Sequence, residues 1–314
     1  MSKQRLAAGT ALVLAVATLA AVLSAGAGAR PVQARATVKL GFITKFPVDF
    51  YFTLVGGAKT WQKSHKNVKV MYAQGKAATD DAGEIAAIQD MIASGVKGIA
   101  ITPTSPAVIP ALNKAVKAGI KVVLMDNDLP TWKLKSSVVA TNNLKGGQLA
   151  GKFLAAKLKA GDTLGILEGV PGVPALDDRV TGMLAGLGAT KSKIKVVSKL
   201  ETDCDQTKGA QAAQTILTAN PNLTAIYSAC GPPALGAIQS IKNAGAGGIT
   251  LVGFDGSPGE ITAIKAGTEA ASVAQHPAKI GSLGIATLYS AVLGKKVPKN
   301  VDTGTTLITP SNAK

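Results

Sequence analysis

Two carboxylates in this chain stand where a ligand could reach them. Asp255 follows the run Ile249-Thr250-Leu251-Val252-Gly253-Phe254, and Asp126 follows Lys121-Val122-Val123-Leu124-Met125. Apart from the leading Lys121, each run is β-branched, apolar or Gly, the pattern of a strand buried on both faces of a parallel sheet. Turn formers come next: Gly256, Ser257, Pro258 and Gly259 after the first, Asn127 and Asp128 after the second. In open α/β sheets the crevice beyond the carboxyl ends of the strands is where ligands bind. A lone Asp there is also a common N-cap or turn residue. Its repetition in two separate sheets argues for one ligand held between two lobes.

Other side chains could join them. Phe50, Tyr51 and Phe52 are adjacent, beside Asp49, in a chain only 4% aromatic. Placed after the first strand, Thr37 to Thr44, they suit the apolar face of a sugar ring, with the carboxylate for its hydroxyls. Arg179 falls in the first turns of a helix, where a cation opposes the helix dipole and gains little locally. It fits there if its planar donor fork reaches ligand oxygens; the alternative is an ion pair with Asp178 or another neighbour. His65 and His276 form no metal-ligand spacing with each other or with the two cysteines, so no metal is expected. Neither half carries a glycine-rich dinucleotide fingerprint or a phosphate-binding Lys, and no Ser/His/Asp set stands out. A binding protein without a cofactor is expected, not an enzyme.

The elements that must place these residues alternate strand and helix with short connections, once from Thr37 and again after Ser136 to Ala140. That is the doubly wound α/β pattern, duplicated within the chain. Before it, Lys3 and Arg5, the uncharged apolar run Ala7 to Val22 and a small-residue stretch read as a secretory signal peptide over residues 1–36, cut after Ala29 or Ala36. No Cys lies near those sites, so an exported, soluble, periplasmic or extracellular protein without a lipid anchor is expected. The formal charge of the 314-residue chain is +16, and the first 36 residues supply four basic and no acidic groups, which leaves +12. Its lysines are scattered rather than clustered with aromatics, so solvated surface is expected and not nucleic-acid binding.

At this point the chain resembles the periplasmic sugar-binding proteins of the ribose/galactose type, which feed ABC transporters. The resemblance runs from Val38 to Ile308 and rests on KLGFIT with FYF after it, KVVLMDN, ATNNLKGGQLAG, the GVPG loop with Arg179, PALGAIQSIKNAG, LVGFDGSPG and SVAQHPAKIG. It implies two similar lobes joined by a three-stranded hinge, with crossings near Thr141-Asn142, Gln275-His276 and Val301. Lobe one is then 37–141 plus 276–300, and lobe two 142–275 plus 301–314. It also implies a monomer that closes on a small neutral polyhydroxylated ligand and delivers it to an ABC permease. The family's ligand positions fall on Lys45, Asp49, Tyr51, Phe52, Asp126 and Asn127 in lobe one. In lobe two and the hinge they fall on Arg179, Cys204, Cys230, Asp255 and Gln275.

Three positions depart from the family pattern. Asn127 replaces an Arg, Cys204 a stacking aromatic, and Cys230-Gly231-Pro232-Pro233 an Asn-Asp pair. These departures widen the expected ligands from pyranoses and furanoses to smaller or acyclic polyols. Other roles for such a chain are presenting a sugar to a sensor or chemoreceptor and, with less to favour it, exported carbohydrate chemistry. The effector domain of a repressor shares the fold, but no DNA-binding helix-turn-helix precedes Thr37. Cys204 and Cys230 are the only thiols of a chain read as exported, and a disulfide between them is expected at the rim or floor of the pocket. Their strands flank the lobe's first strand, roughly 10 Å apart, so the loop bearing Cys204 must lean across.

Overall fold

A computed structural model describes residues 37–314. The expected signal peptide lies outside the described residues. Within them are two six-stranded sheets, each covered by helices on both faces.

The first sheet holds β1 (Val38–Thr44), β2 (Val68–Gln74), β3 (Gly98–Ile101), β4 (Lys121–Met125), β5 (Ser137–Ala140) and β11 (Asn300–Asp302). Their order is β11-β5-β4-β3-β1-β2, parallel throughout. The second holds β6 (Thr163–Glu168), β7 (Lys195–Glu201), β8 (Ala225–Ser228), β9 (Thr250–Asp255), β10 (Ala271–Ala274) and β12 (Thr306–Ile308). Its order is β12-β10-β9-β8-β6-β7, with only β12 antiparallel. The two orders superpose strand for strand, as the repeated pattern in the sequence implies.

Alternation along each strand divides its side chains between the two covering layers. Phe42, Ala100, Val123 and Val139 face α1 (Asp49–Lys63) and α9 (Pro277–Val292). Ile43, Ile101, Leu124 and Val138 face α2 (Asp81–Ala93) and α3 (Ile109–Lys117). In the second sheet Ile166, Tyr227, Val252 and Phe254 pack on α4 (Asn143–Lys157) and α5 (Pro174–Gly186). Leu167, Ile226 and Leu251 pack on α6 (Gln206–Ala219) and α7 (Gly231–Asn243). With both faces apolar the inner strands carry no polar stripe, which is why they read as near-continuous hydrophobic runs, whereas the edge strand β7 (KVVSKLE) exposes Lys195, Lys199 and Glu201. The short α8 (Pro258–Lys265) follows β9 and opens with a capping box, Ser257 and Glu260 each satisfying the other's backbone N–H.

The chain passes between the sheets three times: at Thr141-Asn142 after β5, at Gln275-His276 after β10, and between β11 and β12. The third crossing corrects the expected boundary. Val301 and Asp302, expected in lobe two, pair with Val139 and Ala140 of the first sheet. The change of sheet falls at Thr303 to Thr305, where Thr303 N–H donates to the Ala140 carbonyl. A three-residue edge strand in the polar stretch Asn300-Val301-Asp302 has no hydrophobic signature to mark its end. Among the described residues no helix is long and apolar enough to cross a membrane.

Candidate functional site

The carboxyl ends of both sheets face one cavity of about 650 Å³. Of the eleven residues singled out in the sequence, ten line it: Lys45, Asp49, Tyr51, Asp126, Asn127, Arg179, Cys204, Cys230, Asp255 and Gln275. Phe52 does not. It is 55% exposed, while Phe50 and Tyr51 line the cavity. Successive helical residues point about 100° apart, so three adjacent aromatics at the start of α1 cannot share a face. The aromatic wall is instead Phe46, Phe50 and Tyr51, with Tyr51 edge-on to Phe46 at 5.4 Å and to Phe50 at 5.2 Å between centroids.

On the first lobe, Asp126 leaves β4 with φ 63°, a left-handed conformation that Asp tolerates better than most residues. Its N–H donates to the Val139 carbonyl at 3.0 Å, and the Tyr51 hydroxyl donates to its Oδ2 at 3.1 Å. Its other oxygen is buried without a partner. Burial pushes the Asp126 carboxyl up, against the pull of Arg179 and Lys45. Lys45, just past β1, is 5% exposed. Burial pulls its ammonium down, opposed first by Asp126 and then by Glu84. Neither carboxylate forms an ion pair with it. Asn127 donates to the Pro103 carbonyl at 3.5 Å, the long limit for such a bond. Behind Lys45, Glu84 accepts from the Thr104 N–H and hydroxyl at 2.7 and 2.6 Å, and burial raises its carboxyl to about 7.

On the second lobe the charges are already engaged. Arg179 of α5 donates through Nε to Asn143 at 2.9 Å, and through one terminal nitrogen to the Ala229 carbonyl at 2.8 Å and Asp255 Oδ1 at 3.2 Å. Its guanidinium lies over the Phe254 ring, 4.0 Å from the centroid, a cation–π placement. The ion-pair partner is therefore Asp255, and not the adjacent Asp178. Asp255 leaves β9 with φ 103°. It also accepts from Gln275 Nε2 at 2.7 Å and from the Gly231 N–H at 3.0 Å. The Gln275 carbonyl oxygen is buried and unpartnered.

Cys204 and Cys230 are joined, with Cα atoms 5.5 Å apart. Their strands, β7 and β8, do flank β6. The gap closes because β7 is followed by a loop, Thr202 to Asp205, whose hydroxyl Thr202 bonds back to the Glu168 carbonyl and whose Asp203 and Cys204 have φ 50° and 54°. The bridge packs with Val170, Val173, Ala175 and Leu176 as an apolar patch, across the cavity from the aromatic wall.

Phe46, Lys76, Val170 and Leu176 also line the cavity and escaped the sequence reading. Lys76 had a usable signal: Gly75-Lys76 comes just past β2, the same strand-end position that marked Asp126 and Asp255. Leu176 had none, because an apolar residue in a helix's first turn reads as core.

Comparison with known proteins agrees with this architecture. A family model described as a periplasmic binding protein domain matches residues 40–296. The ribose import binding protein of Salmonella typhimurium is 34% identical over 288 residues, 91% of this chain and 93% of its own length. Among solved structures, an ABC transporter periplasmic solute binding protein from Actinobacillus succinogenes with bound D-allose is 27% identical with TM-score 0.81, covering 88% of this chain and 99% of that one. A solute binding protein from Mycobacterium smegmatis with bound glycerol is 29% identical with TM-score 0.83, covering 88% and 96%. With two duplicated α/β lobes, three crossings and a cleft lined by strand-end carboxylates, this chain belongs to the periplasmic binding protein family.

Proposed function

We propose that this chain is an exported, monomeric solute receptor that captures a sugar or small polyol between its lobes by hinge closure and delivers it to an ABC importer. The observation that carries the reading is the set of buried polar groups left over in the cavity. Among the described residues the buried Lys45, with three donors, has no hydrogen-bond partner, while Asp126 and Gln275 each present a buried side-chain oxygen with none. Such groups are costly unless something satisfies them. A hydroxyl both accepts and donates, so one between Lys45 and Asp126 satisfies both. A carboxylate there would meet repulsion from Asp126. The aromatic wall and the disulfide patch then cover the ligand's C–H surface.

Lys45, Asp49, Tyr51, Asp126 and Asn127 would hold the ligand from the first lobe, and Arg179, Asp255 and Gln275 from the second. The relatives' ribose, D-allose and glycerol bracket the expected size. With a disulfide in place of a second flat aromatic surface, the site favours the smaller end of that range. A thermal-shift screen with pentoses, hexoses and four- and five-carbon polyols tests this. A ligand at a hundred times its dissociation constant adds about 2.7 kcal/mol of stability. No shift with any of them would overturn the reading.

A further inference from the structure

Cys230 sits between the two backbone groups that orient the second lobe's charges. The carbonyl of Ala229 on one side accepts from Arg179, and the N–H of Gly231 on the other donates to Asp255. Cys230 is also the N-cap residue of α7, with extended backbone and no side-chain cap. The covalent tie to Cys204 is therefore attached to the loop that aims Arg179 and Asp255. At its other end the tie holds Cys204, the second of two consecutive residues in the left-handed region, a conformation of higher energy for both.

From this placement we infer that the Cys204–Cys230 bridge is a positioning element of the binding site, and that solute and thiol reductant compete for it. The inference rests on the solute-receptor reading above. The two sulfurs differ in access. Both residues line the cavity, but Cys230 is 2% exposed, whereas Cys204 is partly exposed, with Val173, Ala175 and Leu176 packed against it. A thiolate of a small dithiol thus meets the Cys204 sulfur from the cavity. It forms a mixed disulfide there as the S–S bond breaks, and Cys230 leaves as a thiolate that takes up a proton. The dithiol's second thiol then attacks the mixed disulfide. Cys204 is released as a thiol, and the cyclic disulfide of the reagent carries away the oxidised sulfurs. A solute filling the cavity shields the reactive sulfur. By reciprocity, a bridge whose integrity favours binding is itself protected by binding.

The lobe does not depend on the bridge for its packing. A side-chain carbon at Gly209 of α6 would collide with the backbone of Pro233 of α7, and one at Gly236 with the Gln206 carbonyl. The two helices are therefore in direct backbone contact over more than a turn. Ser240 of α7 donates to the Ala210 carbonyl at 2.7 Å. Reduction should loosen the two loops while leaving the helices and β8 in place.

The test uses D-ribose, D-allose, glycerol and erythritol as probes on the oxidised protein, the dithiol-reduced protein and the double variant Cys204→Ala/Cys230→Ala. For a probe that binds the oxidised form, the reduced form and the double variant should bind at least tenfold more weakly. A saturating concentration of that probe should slow reduction at least tenfold. Equal affinity in the two redox states, or an unchanged rate of reduction, overturns the inference. Hydrogen exchange without any probe separates this from failure of the function itself. Reduction should speed exchange at Gly231 and in Asp203 to Asp205, with β8 and the middle of α7 unchanged. If no probe binds, the receptor reading falls, and unchanged exchange at Gly231 still overturns the positioning role. Faster exchange throughout the lobe also overturns it, because the bridge is then a general structural clasp.

Discussion

Both faces of the cleft present a carboxylate in the left-handed region at a strand end, and the two are held in opposite ways. Asp255 is engaged on both oxygens, by Arg179 and Gln275 on one and the Gly231 N–H on the other. Asp126 has one hydrogen bond from Tyr51 and a bare buried oxygen, with Lys45 nearby and unpaired. The second lobe's charges form a pre-assembled network, with only the Gln275 side-chain oxygen left bare at its hinge edge. The first lobe's form an unfinished one, whose desolvated groups are satisfied by what enters. Duplication of a fold thus leaves the backbone plan intact while dividing two tasks: fixed geometry on one side and unmet polar demand on the other.

Removing a member of the finished network should do the most damage. Asp255→Ala leaves the Arg179 guanidinium buried with only the Asn143 and Ala229 oxygens, and frees Gln275. Truncating one partner of a buried, hydrogen-bonded charge pair costs on the order of 2–5 kcal/mol. Solute affinity should fall by that amount, and thermal stability should fall with it. Calorimetry and a melting curve on the same preparation check both. Unchanged affinity would place the binding site outside this network.

The unfinished side should respond differently. Lys45→Met removes a buried ammonium that no group among the described residues pairs, at little change in volume. Affinity should weaken by about 1.5–3 kcal/mol, the value of a hydrogen bond to a charged group. The melting temperature of the empty protein should hold or rise, because the desolvated charge is gone. A drop in both quantities, as in Asp255→Ala, would erase the distinction between the lobes.

How much of this was legible in the sequence follows the same division. The inner strands, their repeated layout and the strand-end carboxylates could be read because a strand buried on both faces is an apolar run and its end is a sharp change in polarity. The partners of those carboxylates could not. Whether Arg179 meets Asp178, one residue away, or Asp255, across the sheet, is decided by the reach of α5 over Phe254, which no local pattern encodes. Phe52 was misplaced because adjacency in sequence says nothing of helical phase. The third crossing slipped by a few residues because β11 is a polar edge strand. The Cys204–Cys230 pairing needed a loop leaning across β6, and only the left-handed residues Asp203 and Cys204 show how it does so.

Buried carboxylic acids lie behind Lys45 in the first lobe and behind Asp255 in the second, and pH should separate the two lobes. Glu84 in the first lobe has Thr104 as a double donor and Lys45 as a nearby cation. Behind Asp255, Glu260 and Glu269 lie against Gly253 of β9. Glu260 accepts from Ser272 and the Ser257 N–H, whereas both Glu269 oxygens lack any further partner. Burial raises Glu260 to about 8, reinforced by Asp255, and Glu269 to about 10, reinforced by Glu260. Below about 4.5, the ordinary value, the folded and unfolded chains both carry these protons. As pH rises from there, the unfolded chain releases them first, so the folded chain binds more protons and stability falls with pH through the folded values. Glu269→Gln, which cannot ionise, should flatten that fall. Melting curves at pH 5, 7 and 9 should show the variant's advantage growing with pH to about 1–3 kcal/mol, the cost of leaving a buried polar group unmet. Parallel curves for variant and parent would show that Glu269 ionises as freely folded as unfolded.

The smallest effect expected is also the finest probe of the comparison. Tyr51→Phe removes the one hydrogen bond that the protein gives Asp126 and keeps the ring that packs on Phe46 and Phe50. Burial and Asp126, both as a charge and through that bond, raise the phenol well above its ordinary value, so it donates throughout the working pH range. A single such bond is worth about 0.5–1.5 kcal/mol net. If Asp126 is held loosely, as its bare oxygen implies, losing Tyr51 lets the carboxylate turn toward Lys45 and pair with it. The empty protein then keeps its stability while the solute must break a new ion pair to enter. Affinity should therefore drop by roughly tenfold, and the Lys45→Met/Tyr51→Phe double variant should lose less than the two single losses added together. Additive losses would mean that Asp126 stays where it is without Tyr51, and that the first lobe is as rigidly built as the second.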